Sequence, residues 1–545
     1  MSLALMLFLS LLKVSVVECQ EVKSLKCESD STLEVIIHLK DQPDLSILPS
    51  HFSKSEKITY LKKFAQTSQQ PLLDYLLCFS DQIVEIKTYW IFNGLYLKAT
   101  KRVIDDIARH QKVSFITRND KIYLDKTENC DSDKRMAGYN IRIIKADSCW
   151  NEGFDGTGVI IGNIDSGVDT THPALQGKWY PGGWYDAVNG LPGPYDDNGH
   201  GTFTMGIICG GDGNGPFPED IGVAPGARFI VAKAFNSQGA APYSAIHDCL
   251  QWFATKNAKI LNNPYTQPEF DSLSLEFWND LLNLRNLGVW PIFKVGTTTA
   301  PAPPSSVKTP GSYPILIAAG ATDSLDNRML WSCRGPAPNH SPWNDTLYWG
   351  RPDWNLIKPD IVAPGHNIKS AWPGGQYDVS NGTSWAAAHV TGALAILLQK
   401  DSTAAYETVY QTLLNYTDRP PQGGPYPNNE YGWGRLNIYS ALHALGSEEI
   451  SHKILSSILS ISPNPFSKEC NILIQNANNK EIYSLKIYDA KGAIVKLFKT
   501  KNNILPMRIV WDGTNDNRET VPSGIYFVEL QQQNERFIRK IVYVK

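Results

Sequence analysis

Residues Asn381 to Gly392 read NGTSWAAAHVTG, and the rest of the chain is understood through this stretch. Gly382 frees the backbone just ahead of Thr383 and Ser384, and an apolar run with small residues at most inner positions continues to Leu398. The pattern predicts a buried helix with a serine at its mouth. There the hydroxyl faces a cleft, while the serine N–H, unpaired in a first helical turn, points at whatever the hydroxyl attacks. Taken alone, the stretch reads first as a capped apolar helix, much the commoner object. Residues elsewhere decide between the two.

The chain has 545 residues, enough for about two to four domains that each bury a core. Its formal net charge of -3 offers a polyanion nothing to bind, which argues against a nucleic-acid partner. The nine cysteines form no CxxC pair and no His/Cys cluster of metal-ligand spacing, so they read as mostly isolated buried thiols, with an occasional disulfide. No metal site and no required cofactor is expected, and calcium is left open. Met1 to Cys19 resembles a secretory signal peptide, and no later segment is long and apolar enough to span a bilayer.

Residues 20–135 are expected to hold a compact domain over about 33–123. Its runs are Leu33–Leu39, Glu56–Leu77, Ile83–Ile86, Gly94–Ala99, Val103–His110 and Val113–Thr117. They follow the order β, α, β, β, α, β of a ferredoxin-like arrangement.

The character changes at Gly153. Continuous apolar runs at Val159–Ile164, Phe229–Ala232, Lys259–Leu261, Val289–Phe293 and Ile315–Ala319 are mostly separated by helix-length intervals. Such strands are buried on both faces, which predicts a parallel sheet covered by helices, with chemistry beyond the carboxyl ends of its strands. The first of these strands runs straight into Asp165-Ser166-Gly167, and His200 stands between Gly199 and Gly201 in DDNGHGT. Glycines on both sides let other groups approach the imidazole, which a merely structural histidine seldom requires. With Ser384, the chain order is Asp, His, Ser. A hydroxyl attacks a peptide only when an imidazole takes its proton and a carboxylate holds that imidazole in the right tautomer.

DSGVDTTHP, DDNGHGT and GTSWAAAHVTG resemble, in this order, the three signatures of subtilisin-like serine peptidases. GVAPGARFIVAKAF, AAGATD, SCRGP and KPDIVAPG are similar to further family segments, and WYDAVNGLPGPYDDNGHGT leans toward the bacillopeptidase F-like branch. The resemblance runs from about Ile141 to Leu445. It implies a subtilisin-like peptidase domain over 136–446, with Ser384 as nucleophile, His200 as general base and then acid, and Asp165 as its orienting carboxylate. The domain before it then resembles an inhibitory pro-region that acts on its own enzyme, with a cleavage region at Asp125–Arg135.

Departures gather around the implied cleft. Thr297 stands where the family's oxyanion asparagine is expected, leaving its hydroxyl and the Ser384 N–H to meet the oxyanion. In subtilisin, loss of that amide costs on the order of 100- to 1000-fold in turnover. Lys294, just ahead of Gly296, falls where a small residue lines the pocket for the side chain before the scissile bond; a cation there either fills the pocket or favours an acidic side chain. Pro264 and Tyr265 sit on the edge that pairs with bound peptide, and proline removes a donor from it. Trp385, Ala388 and Phe203 replace the usual methionine, proline and histidine.

After a linker at 447–460, residues 461–545 read as a small β-sandwich. Alternating residues flank the turn Asp489-Ala490-Lys491-Gly492, a hairpin signal, and Trp511–Asn517 reads as a turn rather than a calcium loop. PNPF, WDGTNDN, VPSGIYFVEL and RKIVYVK resemble the C-terminal sorting domain of type IX secretion, which implies export through bacterial secretion machinery. The expectation is therefore an α/β chain: a subtilisin-like parallel sheet with helices on both faces, preceded by an α+β ferredoxin-like pro-domain and followed by an all-β Ig-like sandwich. Its implied role is a secreted or surface endopeptidase acting on proteins or peptides. The competing reading is an impaired homologue that binds peptides without cleaving them; a purely structural module leaves all three motifs unexplained.

Overall fold

The computed structural model describes residues 31–45, 48, 52–125, 138–217, 219–268, 273–345, 348–349, 351, 355–446, 459–462, 464–474, 482–498, 507–532 and 535–545. The signal peptide at 1–19 and nearly all of the linker and of the Asp125–Arg135 cleavage region lie outside them.

Four strands, β1 (Thr32–Leu39), β2 (Ile83–Tyr89), β3 (Gly94–Thr100) and β4 (Val113–Arg118), form an antiparallel sheet in the order β2-β3-β1-β4. Helices Lys54–Leu76 and Lys101–Ile107 complete the ferredoxin-like pattern. The longer helix starts at a capping box: Ser53 accepts from the Glu56 N–H, and the Glu56 carboxylate accepts from the Ser53 N–H. A short strand, β5 (Lys121–Tyr123), follows.

The central sheet has seven strands: β6 (Ile160–Asp165), β7 (Trp179–Asp186), β8 (Arg228–Lys233), then β10 (Ile260–Asn263), β11 (Trp290–Lys294), β12 (Ile317–Thr322) and β13 (Ile361–Pro364). Strand β9 (Ala240–Pro242) lies outside it and pairs with β5. The order is β13-β12-β11-β10-β6-β8-β7, all parallel, so Asp165, Asn263 and Lys294 are carried to one end of the sheet. Helices His200–Cys209 and Thr383–Lys400 pack together on one face, both buried except at the C-terminal end of the second. Helices Tyr243–Ala254 and Trp278–Asn286 share the other apolar cluster.

The N-terminal sheet docks on this second pair of helices. Gln251 accepts from the Trp90 N–H, Asn283 donates to the Ile91 carbonyl, and Lys87 pairs with Asp248. At the centre, Glu276 accepts from His38 (3.1 Å) and His247 (2.9 Å) and from the Thr117 hydroxyl, while His247 also faces Asp280 at 3.0 Å. Ligand atoms of His38, His247 and Glu276 lie within 4.8 Å of one another, a spacing these hydrogen bonds account for.

Burial pushes the His247 imidazole down, but Asp280 and Glu276 outweigh it and raise it to about 9 from an ordinary 6.5. Burial pushes the Glu276 carboxyl up, and His38 with His247 reverses that, holding it at about 2 against 4.5. Because His247 binds its proton more tightly when folded, its stabilisation is complete below about pH 6.5 and is lost as pH rises through about 9. That of Glu276 is complete above about pH 4.5 and is lost as pH falls toward 2. The full chain is expected to lose several degrees of thermal midpoint between about pH 7 and pH 10, and His247→Gln to flatten that slope. Melting curves across this range check it; an equal slope in the variant speaks against the network.

The C-terminal part has a three-stranded sheet (Leu459–Ser462, Cys470–Ile474, Met507–Trp511) and a four-stranded one (Ile482–Asp489, Ile494–Phe498, Gly524–Gln532, Glu535–Tyr543) that share one core around Trp511. Asp489 closes the expected hairpin by accepting from the Lys491 and Ala493 N–H groups. Asp512 accepts from the Thr514 N–H and hydroxyl, as in an Asx turn. Cys149, Cys209, Cys249 and Cys470 are free and buried, and Cys78 is free and exposed.

Candidate active site

Asp165 ends β6 fully buried, and both its oxygens are engaged. Oδ1 accepts from His200 Nδ1 at 2.8 Å and from the Ser166 N–H at 2.7 Å; Oδ2 accepts from the Thr204 hydroxyl at 3.1 Å. A proton on Nδ1 leaves the lone pair of the neutral ring on Nε2. His200 Nε2 is buried and has no hydrogen-bond partner.

The loop sequence explains why His200 sits there. Asp196 accepts from the Asn198, Gly199 and Thr202 N–H groups and from the Ser166 and Thr202 hydroxyls, so one carboxylate ties the start of the histidine helix to the loop after β6. A Cβ at Gly201 would lie 2.1 Å from the Gly167 carbonyl oxygen, so no side chain fits. Buried Lys233 donates to the Ser166 and Phe235 carbonyls and to Asp197, bracing the same loops.

Ser384 is the second residue of its helix. Gly382 precedes it, and no side chain caps this helix, so neither Thr383 nor Ser384 plays the capping part. The Ser384 hydroxyl donates to the Pro264 carbonyl at 3.1 Å and makes no hydrogen bond to His200. Trp385 packs at a tilt against His200, with ring centroids 4.9 Å apart, and against Phe203 at 4.3 Å. Two of the family departures are thus one packing unit beside the imidazole. Four residues on, His389 donates from Nδ1 to the Trp385 carbonyl and accepts from Asn140 at Nε2. Burial pushes its imidazole down to about 4, which keeps it neutral in this bracket.

Thr297 lies past the end of β11, its hydroxyl 2.9 Å from that of Thr383. Lys294 is fully buried, and its ammonium donates to Asp125 at 2.7 Å. Gly296, at φ +105, lies against the Lys308 stem, 2.9 Å from where a Cβ would sit. Pro264 offers its carbonyl to Ser384. Tyr265, expected on the edge that pairs with bound peptide, turns its side chain into the core. It is fully buried, donates to Asn263 and packs between Phe235 and Phe293, because an aromatic ring gains more from the core than from the cleft.

Several residues of the site escaped the motifs. Thr204 was within reach, since it follows His200 at helical i,i+4 spacing. Lys233 and Lys308 carry no local signal, and Asp125, read only as the start of a cleavage region, meets Lys294 through the fold alone.

Comparison with known proteins fits this geometry. Residues 156–434, half of the chain, match the subtilase family, and residues 460–545 match a secretion system C-terminal sorting domain. The second match marks the chain for secretion or cell-surface attachment, and no described helix is long and apolar enough to cross a membrane. The chain is 32% identical over 441 residues to bacillopeptidase F of Bacillus subtilis (strain 168), covering 74% of itself but only 29% of that protein. It is 30% identical over 306 residues to subtilisin E of the same strain, covering 56% of itself and 70% of that protein. It is 29% identical over 306 residues to subtilisin of Bacillus pumilus, covering 56% of itself and 98% of that protein.

Proposed function

Because the chain belongs to the subtilase family of serine peptidases, we propose that it is an exported serine endopeptidase that cleaves proteins or peptides through an acyl-enzyme. The observation that carries this reading is the Asp165–His200 pair at 2.8 Å, with Nε2 buried, unbonded and free to act as a base. His200 takes the Ser384 proton as the hydroxyl attacks, then returns it to the leaving amine. Asp165, held by Thr204 and the Ser166 N–H, keeps the imidazole in the required tautomer. The Ser384 hydroxyl leaves Pro264 and turns to His200 for this step, a rotation about one side-chain bond; catalytic hydrogen bonds commonly tighten only with substrate in place. No metal or cofactor takes part in this scheme.

The layout follows from the same reading. Residues 20–135 serve as a pro-region, 136–446 as the peptidase domain, and 461–545, after a linker at 447–460, as the sorting domain that engages the secretion machinery. The pro-region inhibits its own enzyme by lying along the cleft, and the pairing of β5 with β9 supports this. A serine-directed phosphonate is expected to label the processed wild type and not Ser384→Ala. Failure to label folded wild type freed of its pro-region would sink the peptidase reading.

A second reading, a peptide-binding homologue with little turnover, is favoured by Thr297. Its hydroxyl is tied to Thr383 rather than free to meet an oxyanion. Thr297→Asn is expected to raise turnover of a peptide substrate by on the order of 100-fold if the missing amide limits the rate. Steady-state kinetics on both proteins decide it, and an unchanged or lower rate means that the site works around threonine.

A further inference from the structure

We propose that the pocket of this peptidase selects aspartate before the cleaved bond, and that the enzyme's own first substrate is the bond between Asp125 and Lys126. The inference rests on the peptidase reading and names its substrate class.

Strand β5 runs antiparallel to β9, with Lys121 opposite Pro242, Ile122 opposite Ala241 and Tyr123 opposite Ala240, and the Leu124 N–H continues the ladder to the Gly239 carbonyl at 2.8 Å. An extended segment is thus already bound in peptide fashion, by strand addition. Ile122 is fully buried and Leu124 nearly so, whereas Tyr123 keeps 59% of its surface exposed. Apolar side chains are therefore demanded at one and three residues before the aspartate, and almost anything is accepted between them.

Asp125 comes next, and its carboxylate meets Lys294 at 2.7 Å. Lys294 ends β11 with no exposed surface, and Asp125 is its only hydrogen-bond partner among the described residues. A buried ammonium is costly without a counter-charge, so the pocket is built for an anion. Burial pushes the Asp125 carboxyl up, but Lys294, with help from Thr297 and the Lys308 charge, brings it below the usual carboxylate range. Gly296 is what lets the Lys308 stem pass so close. Thr297, at the position where an asparagine was expected, thus also helps hold the acidic side chain. Aspartate fits at 2.7 Å; asparagine presents no charge, and glutamate adds a methylene to a filled site.

In the reaction, Ser384 Oγ bonds to the Asp125 carbonyl carbon and its proton passes to His200. The Asp125–Lys126 bond breaks as His200 protonates the Lys126 amine. Water then cleaves the ester, leaving an Asp125 carboxylate and restoring the Ser384 hydroxyl.

The test uses the full chain. Mass spectrometry of the processed protein is expected to find Lys126 as the new N-terminus. Asp125→Asn and Lys294→Glu are each expected to slow this cleavage at least about 30-fold, the low end for leaving one member of a buried charge pair alone. Asp125→Lys combined with Lys294→Glu is expected to restore it. The processed enzyme is expected to cleave after Ile-Tyr-Leu-Asp at least about 30-fold faster than after Ile-Tyr-Leu-Asn. Cleavage elsewhere, or equal rates on the two peptides, overturns the aspartate pocket while leaving the peptidase reading intact. If wild type is not processed at all, the peptidase reading fails, and the pocket is judged by hydrogen exchange in the Ser384→Ala full chain. There Asp125→Asn is expected to speed exchange across 121–125 at least tenfold, and unchanged exchange overturns the pocket as well.

Discussion

Ser384→Ala is expected to lower peptide turnover on the order of a million-fold, the loss that subtilisin shows when its nucleophile is removed. On the proposed mechanism this hydroxyl forms the acyl-enzyme, so nothing partial of the covalent route would remain without it. The fold is expected to survive, because the hydroxyl's one bond is to the Pro264 carbonyl at 3.1 Å and the helix is held from Trp385 onward by its own core. The variant is therefore expected to fold and to accumulate with its pro-region still attached. Intact mass and steady-state kinetics are the two readouts. Turnover within a hundredfold of wild type would falsify the role of Ser384.

Asp165→Asn is expected to cost about 10,000-fold in turnover at neutral pH with little change in KM. Both oxygens of Asp165 accept hydrogen bonds, from His200, Ser166 and Thr204. An amide facing His200 Nδ1 donates instead, which forces the imidazole proton onto Nε2 and removes the base. The geometry is otherwise kept, so the split between turnover and KM separates loss of the tautomer from loss of the site. A drop below tenfold means that His200 works without its carboxylate partner.

The edges of the central sheet were the hardest elements to read. Trp179–Asp186 carries a proline and two glycines, and Ile361–Pro364 is four residues ending in proline, so neither shows the apolar run that marked the inner strands. Both lie at the margins of the seven-stranded order, where a strand has one strand neighbour rather than two. The ferredoxin-like order, by contrast, was legible throughout, because each of its runs has its own period and its own turn.

Local sequence singled out Asp165, His200 and Ser384 as candidates, and the structure joins the first two directly. Chemistry that needs an acid, an imidazole and a hydroxyl leaves glycines, strand ends and a helix mouth beside them, and these are written within a few residues of each. Local sequence likewise marked Lys294 and Thr297 as out of place. What those two residues meet was decided by tertiary structure. The Lys294–Asp125 contact joins residues 169 positions apart, and Thr297 meets Thr383 across 86. Periodicity and propensity act over one or two turns, whereas a charge pair across such separations exists only after a parallel sheet has gathered its strand ends and strand β5 has paired with β9. The helix mouth at NGTSW was legible; the direction of its hydroxyl, toward Pro264 rather than His200, was not, because side-chain torsions answer to neighbours that only the fold supplies.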